Sequence, residues 1–475
     1  MSEQPPTIPS HSMIASGTSS LHCDFLLTDA TVVTVDRERR ILTDAAVAAR
    51  DGSIAWVGRM SDLPADLQAK QRISLKGRVL TPGFINVHTH AILSMVRGVA
   101  EDLGFAPAYT PGIPHGHDVL PHEAVALARL GAVEALLFGS TLINDTYVHA
   151  DITLPAMAGL GGRVYSCGRI HDADFSLIGD GRWEYHREIG ERTLSEAIDL
   201  AERWHGKFDG RVGVQLSAHA PDTCSDDLLR DIADMSQRLG LRVNTHLAQS
   251  RKEVAQVLRR SGLTPAQLLH ETGLLNDRLL AAHCLYLDEA DIALCGAASI
   301  HVAHIPKGNA TGATLAPTGA LRRQGASITL GTDNMHADMV EVLRWALAVG
   351  RIQEGSVNDF WQPHDVLWMA TQGGANAMGL GDRLGSLEVG KRADIVAFDF
   401  RRPHLVPCIS AVGNLVHTAQ GRDVEHVWVD GRQVVQSGRP TEVDVNALLI
   451  EAQQASDALW LRARSRASAK SDTNI

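Results

Sequence analysis

A (β/α)8 TIM barrel carrying a small β-sandwich domain built from both chain ends is the α/β architecture this sequence predicts, on three observations. Between about Thr81 and Gly385, apolar strand-like runs alternate with helical stretches. β-rich blocks stand on either side of that region. No Gly-rich phosphate loop follows its first strand, which disfavours a doubly wound nucleotide-binding sheet. At 475 residues the chain has room for one large barrel and a smaller domain.

Taken in order, residues 1–22 are rich in Ser and Pro and read as a disordered leader. The β-sandwich is expected over 23–80 plus 385–440. Its first block holds strand-like runs at 25–27, 31–35, 45–48 and 54–57, with Asp51-Gly52 as a hairpin turn signal. The second block holds runs at 394–398, 424–429 and 432–435, with Asp430-Gly431 between the last two. The barrel is expected over 81–384, with strands at 84–87, 141–144, 164–167, 212–216, near Val243, and at 279–282, 300–303 and 328–330. Segments 121–138 and 253–260 fit amphipathic helices between strands. Residues 441–475 form a C-terminal helix and tail, whose apolar 442–463 segment either docks on the body or makes an oligomer contact.

A net charge of −11 with scattered basic residues argues against a nucleic-acid partner. Six cysteines without a CxxC pair make a poor disulfide framework and a poor thiolate zinc site, so a reducing, cytoplasmic compartment fits best. No signal-like segment opens the chain, and no apolar run approaches the ~18 residues of a membrane span.

Val87-His88-Thr89-His90 closes the first barrel run. Residues two apart on a strand share a face, so both imidazoles enter one space. Among 22 histidines one such pair is weak evidence. Later strand ends strengthen it: Ser217-Ala218-His219-Ala220-Pro221, Thr245-His246-Leu247-Ala248-Gln249, Ala282-His283-Cys284 and Gly331-Thr332-Asp333-Asn334. Barrel strands present reactive groups at these ends. Five histidines and an aspartate placed there point to a metal site rather than to packing.

From about residue 23 to 440 the chain resembles the amidohydrolase superfamily. The carriers are residues 81–90, 217–225, the His246 and His283 strand ends, 330–334, and the tail run Gly385–Val396 that re-enters the β domain. Its cytosine-deaminase-like branch is the nearest match, near the S-adenosylhomocysteine deaminases, the s-triazine (atrazine chlorohydrolase-like) hydrolases and the phenylurea and thiocarbamate hydrolases. The resemblance implies that His88, His90, His246 and Asp333 ligate one divalent metal, most naturally Zn2+, with Fe2+, Co2+ and Mn2+ as alternatives. Three imidazoles and a carboxylate leave a position for a water, whose pKa the metal lowers. Asp333 then accepts a proton, His283 polarises the attacked group, and His219 contacts substrate. The family's bridging lysine at the end of strand 4 is missing here, where Ala218 and His219 stand, so a mononuclear site follows. The resemblance also makes a homodimer or tetramer the expected assembly.

Three departures bear on substrate. Deaminases of this branch carry a glutamate three residues after the strand-5 histidine. Gln249 stands there, and an amide is no general acid near pH 7. Asn334 after the metal aspartate resembles the triazine hydrolases. The loop after strand 1 lacks the usual deaminase run and offers Phe105 and Tyr109 as candidate pocket residues. The expected activity is therefore water-driven hydrolysis of a non-peptide C–N or C–halogen bond in a small N-substituted compound such as a triazine, urea or carbamate. An aminopurine nucleoside deaminase is the alternative. A catalytically dead scaffold is disfavoured, because every ligand position is filled.

Overall fold

The structure is a computed structural model that describes residues 22–103, 113–333 and 336–472. Phe105, Tyr109 and Asn334 lie outside the described residues, as do residues 1–21 of the expected leader.

Eight parallel strands run in sequence order around the barrel: β1 (Phe84–Thr89), β2 (Ser140–Tyr147), β3 (Arg163–Ile170), β4 (Val212–Ala218), β5 (Val243–Leu247), β6 (Leu279–His283), β7 (His301–His304) and β8 (Ser327–Leu330). Most of their residues are buried on both faces, as a parallel sheet covered by helices requires. The seam between β8 and β1 is nearly closed by a single parallel bridge, Thr89 to Asp333. There the His90 N–H donates to the Asp333 carbonyl at 3.1 Å, and the Asp333 N–H donates to the His88 carbonyl at 3.0 Å. The residues that stitch the barrel shut are thus the candidate ligands. Local chemistry sets the crossovers. The helix Asp226–Leu239, for example, starts where the Ser225 hydroxyl accepts from Leu228 N–H and stops at Gly240, whose φ of 68° needs no Cβ. At the barrel's other end, helix Gln372–Ala377 plugs the floor, with Ile85, Leu142, Leu280, Ala303 and Met378 in one apolar cluster.

The second unit is a nine-stranded, mainly antiparallel sheet drawn from both chain ends. Strand Ile395–Asp399 pairs with Arg78–Pro82 and so joins the late block to the early one. Phe25, Leu27, Val47, Ile54 and Trp428 form its core. The runs expected at 25–27 and 31–35 are one strand, His22–Val33; what reads as a break is a bulge at Asp29, whose φ is 64°. Strand Gln68–Ser74 was not expected, because its polar alternation is that of a mostly exposed edge. Arg163 at the start of β3 joins the units through Asp394, with Nε–Oδ2 at 2.8 Å and Nη2–Oδ1 at 3.0 Å, and also pairs with Asp430. The tail run that carries the family resemblance therefore ends in a buried ion pair under the barrel.

The C-terminal helix runs Val445–Asp472, longer than the expected 442–463 segment. Leu448, Ala452, Ala455 and Leu459 form its buried stripe, whereas Leu449, Ile450 and Leu461 are exposed. It packs on helix Pro121–Leu137 of the first crossover. All six cysteines are free. Among the described residues no helix is long and apolar enough to cross a membrane.

Candidate active site

β1, β5, β6 and the turn after β8 bring His88, His90, His246, His283 and Asp333 to one point. Asp333 Oδ1 lies 3.3 Å from His90 Nε2 and 3.6 Å from His88 Nε2, and its Oδ2 lies 3.9 Å from His283 Nε2. His246 Nε2 is 3.4 Å from His90 Nε2. The donor atoms of His88, His90 and His246 lie within 4.8 Å of one another, as do those of His88, His283 and Asp333. Asp333 adopts a φ of 62° and His283 one of 72°, which is strained backbone at two functional positions.

A second layer fixes the rings. His90 Nδ1 donates to the Thr146 carbonyl, and His246 Nδ1 to the His219 carbonyl at 2.6 Å. His283 Nδ1 donates to Asn309 Oδ1 at 3.1 Å. Each acceptor places the proton on Nδ1 and turns the Nε2 lone pair inward. Burial, helped by the neighbouring His88, pushes His90 down to about 3 and His246 well below the usual imidazole range. Burial also lowers His283. For Asp333, burial pulls upward, but the facing imidazole of His88 and those of His283 and His90 hold it at about 2. The rings of His90, His246 and His283 are neutral and the Asp333 carboxylate is charged near pH 7. These are the protonation states of metal ligands.

The residues fit a divalent cation. His88 Nε2 is buried without a hydrogen-bond partner, although it faces a carboxylate. An inward imidazole nitrogen without a hydrogen-bond partner, beside three others and an anionic oxygen, is the donor set that suits a divalent cation.

His219 sits beside this group rather than at its centre. Its ring lies 5.0 Å from that of His246 and 4.9 Å from Phe175, and its Nδ1 bonds Thr223 Oγ1 at 2.8 Å. Gln249 is partly exposed on the loop after β5, and its N–H donates to Glu253 Oε2 at 2.7 Å. Glu253 Oε1 takes the Ala248 N–H at the same distance, so this buried carboxyl sets the loop that carries Gln249. Sequence reading missed Glu253 and Asn309. For Glu253 a signal existed, since Ser250 three residues earlier makes a helix-start pattern.

On the side of β2 and β3, Tyr147 lies with its ring 5.6 Å from that of His90. Arg169 stacks its guanidinium between Tyr147 and Phe175, at 5.3 and 4.6 Å from the ring centres. Tyr147, Arg169 and His171 form one wall of a cavity of about 580 Å3, whose other wall carries Arg192, Glu196 and Arg203. Tyr147 and Arg169 were also missed. The expected strands 141–144 and 164–167 stop short of the observed β2 and β3, so these two did not read as strand-end residues.

A barrel with an inward imidazole–carboxylate group at its C-terminal mouth defines a metal-dependent hydrolase of the TIM-barrel class. The chain belongs to the amidohydrolase family, whose model matches residues 79–434. It is 34% identical over 419 residues to a 5-methylthioadenosine/S-adenosylhomocysteine deaminase of Desulforudis audaxviator, covering 87% of this chain and 94% of that one. Among solved structures, an adenosine deaminase from Xanthomonas campestris with bound zinc superposes with a TM-score of 0.84 at 28% identity, covering 93% of this chain and 99% of the other. The zinc complex of an atrazine chlorohydrolase from Arthrobacter aurescens gives 0.79 at 22%, covering 91% and 100%, a likeness of fold.

Proposed function

We propose that the protein deaminates the adenine ring of a 5′-substituted adenosine bearing a charged tail, with one divalent cation, zinc for preference, held by His88, His90, His246 and Asp333. The adenine is supported by the relative at 34% identity, which is named for such substrates and matches nearly end to end. This shifts the balance from the triazine, urea or carbamate expected from Gln249 to the nucleoside alternative. The observation that carries the tail is the charged cavity behind Tyr147 and Arg169. Its volume suits a small ligand, and its mixed Arg and Glu lining suits a zwitterion better than a methyl group.

When bound, the cation would lower the pKa of a water and polarise the ring carbon. Asp333, anionic at neutral pH, accepts the water's proton and returns it to the departing amine, so that water adds to the ring carbon and ammonia leaves. His283 offers a neutral Nε2 as hydrogen-bond acceptor because Asn309 holds its Nδ1–H. In this reading Gln249 donates an amide N–H to a ring nitrogen but cannot transfer a proton.

Ammonia release from S-adenosylhomocysteine, 5′-methylthioadenosine and adenosine tests this reading, with halide release from a chlorotriazine alongside. The charged-tail nucleoside should turn over fastest. Gln249 favours a second reading, displacement from a ring whose leaving group needs no protonation. Halide release without ammonia from any nucleoside would establish that reading and end the first.

A further inference from the structure

We propose that the C-terminal helix braces the metal-binding end of β1, with Trp460 and Arg462 as positioning residues. This rests on contacts of the described residues and not on the substrate. The segment leaving His90 is the short 3-10 helix Ala91–Val96. Its start is tied down, because the Ala91 N–H donates to the buried Asp145 at 2.7 Å and the Leu93 N–H to the His90 carbonyl at 2.8 Å. Its far end is held from outside the barrel. Met95 offers its carbonyl to Trp460 Nε1 at 2.9 Å and to Ser456 Oγ at 3.4 Å.

A second anchor lies where the same connection reaches the first crossover helix. Arg462 Nη1 donates to Glu123 Oε1 at 2.8 Å and Nη2 to the Asp118 carbonyl at 3.1 Å. Glu123 is 1% exposed, and its Oε2 also accepts the Leu120 N–H at 2.9 Å, which starts helix Pro121–Leu137. One turn of the C-terminal helix therefore grips the chain both just after His90 and just before the crossover. The helix follows the outer sheet in sequence, yet it crosses to this place on the barrel. A helix needed only to cover apolar surface could do so with the Leu448, Ala452, Ala455 and Leu459 stripe alone. The directed donors from Trp460 and Arg462 add position to that burial.

The test compares Trp460→Phe, Arg462→Ala and Arg462→Lys in the full-length, metal-loaded chain, by peptide-level amide exchange and by the rate of metal loss to a chelator. Trp460→Phe keeps the ring and removes one N–H. It should speed exchange in residues 91–99 by roughly tenfold and metal loss by roughly threefold or more, with β4–β6 unchanged. Arg462→Ala should act in the same way at residues 113–120, and Arg462→Lys should restore at least half of the effect. Wild-type exchange at 91–99 with wild-type metal loss would overturn the proposal. So would a uniform rise across the whole barrel, which marks a merely structural helix.

Discussion

The two sides of the barrel mouth are built on different terms. On the side of β1, β5, β6 and β8, each histidine whose Nδ1 is bonded has a carbonyl oxygen as partner, and the inward Nε2 atoms converge on one carboxylate. On the side of β2 and β3, long side chains line a cavity: Arg169 is stacked on rings, and Arg192 and Glu196 border it from an exposed helix face, 3.8 Å apart. The first side is preorganised for one reaction coordinate. The second has a mixed, polar and charged lining of the kind that the proposed tail recognition requires. On the proposed function, chemistry and selectivity then occupy separate walls, and substitutions on each should change different kinetic quantities.

The sharpest break of this division comes at Asp333. Asp333→Ala should abolish metal retention and lower turnover by on the order of 10³-fold or more, while circular dichroism stays that of a folded barrel. His88→Ala should do the same, because its Nε2 has no other partner. Turnover that survived in a metal-free variant would end the division into a chemical and a recognition wall. Next in size is Gln249→Glu, which supplies a titratable carboxyl to the loop held by Glu253. Ammonia release from adenine nucleosides should rise roughly tenfold to a hundredfold, within the range of a gained general acid. If halide displacement is the real reaction, that substitution leaves both products unchanged. On the other wall, Arg169→Met should cut kcat/KM about tenfold for a charged-tail nucleoside and hardly affect adenosine. An equal loss on both substrates would assign Arg169 to the chemical wall instead.

The same division explains what could be read from the sequence. His88, His90, His246, His283 and Asp333 were legible because apolar runs locate strands, and parallel strands put their C-terminal residues at one mouth. The barrel and the split outer sheet followed from the same periodicity. Tyr147 and Arg169 obey that rule too, but Asp145, Thr146 and Arg169 itself are polar, so the hydrophobic signal ends before the strands do. Buried polar interiors erase the period on which strand ends are judged. Asn309 and the Thr146 carbonyl were unreadable for another reason. They matter only through partners 26 and 56 residues away, and no local pattern encodes such a pairing. The docking site of the C-terminal helix was hidden likewise, since its stripe says that it packs but not where.

Burial keeps His90 neutral, which suits a ligand, and the same physics acts on β7 where no ligand is needed. His304 is fully buried, both its ring nitrogens lack partners among the described residues, and burial holds it near 3. Its unfolded value is near 6.5, so at lower pH the unfolded chain binds a proton that the folded chain refuses. The sign follows: stability is complete above pH 6.5 and falls as the pH drops from there toward 3. One such histidine costs about 1.4 kcal/mol per pH unit across that window. Urea unfolding of the metal-free protein at pH 6.5, 5.5 and 4.5 should therefore give a steep loss, and His304→Leu should remove about one proton's worth of that slope. An unchanged slope would mean that His304 is hydrogen-bonded and charged in the folded protein, and that only the metal wall makes use of burial to keep imidazoles neutral.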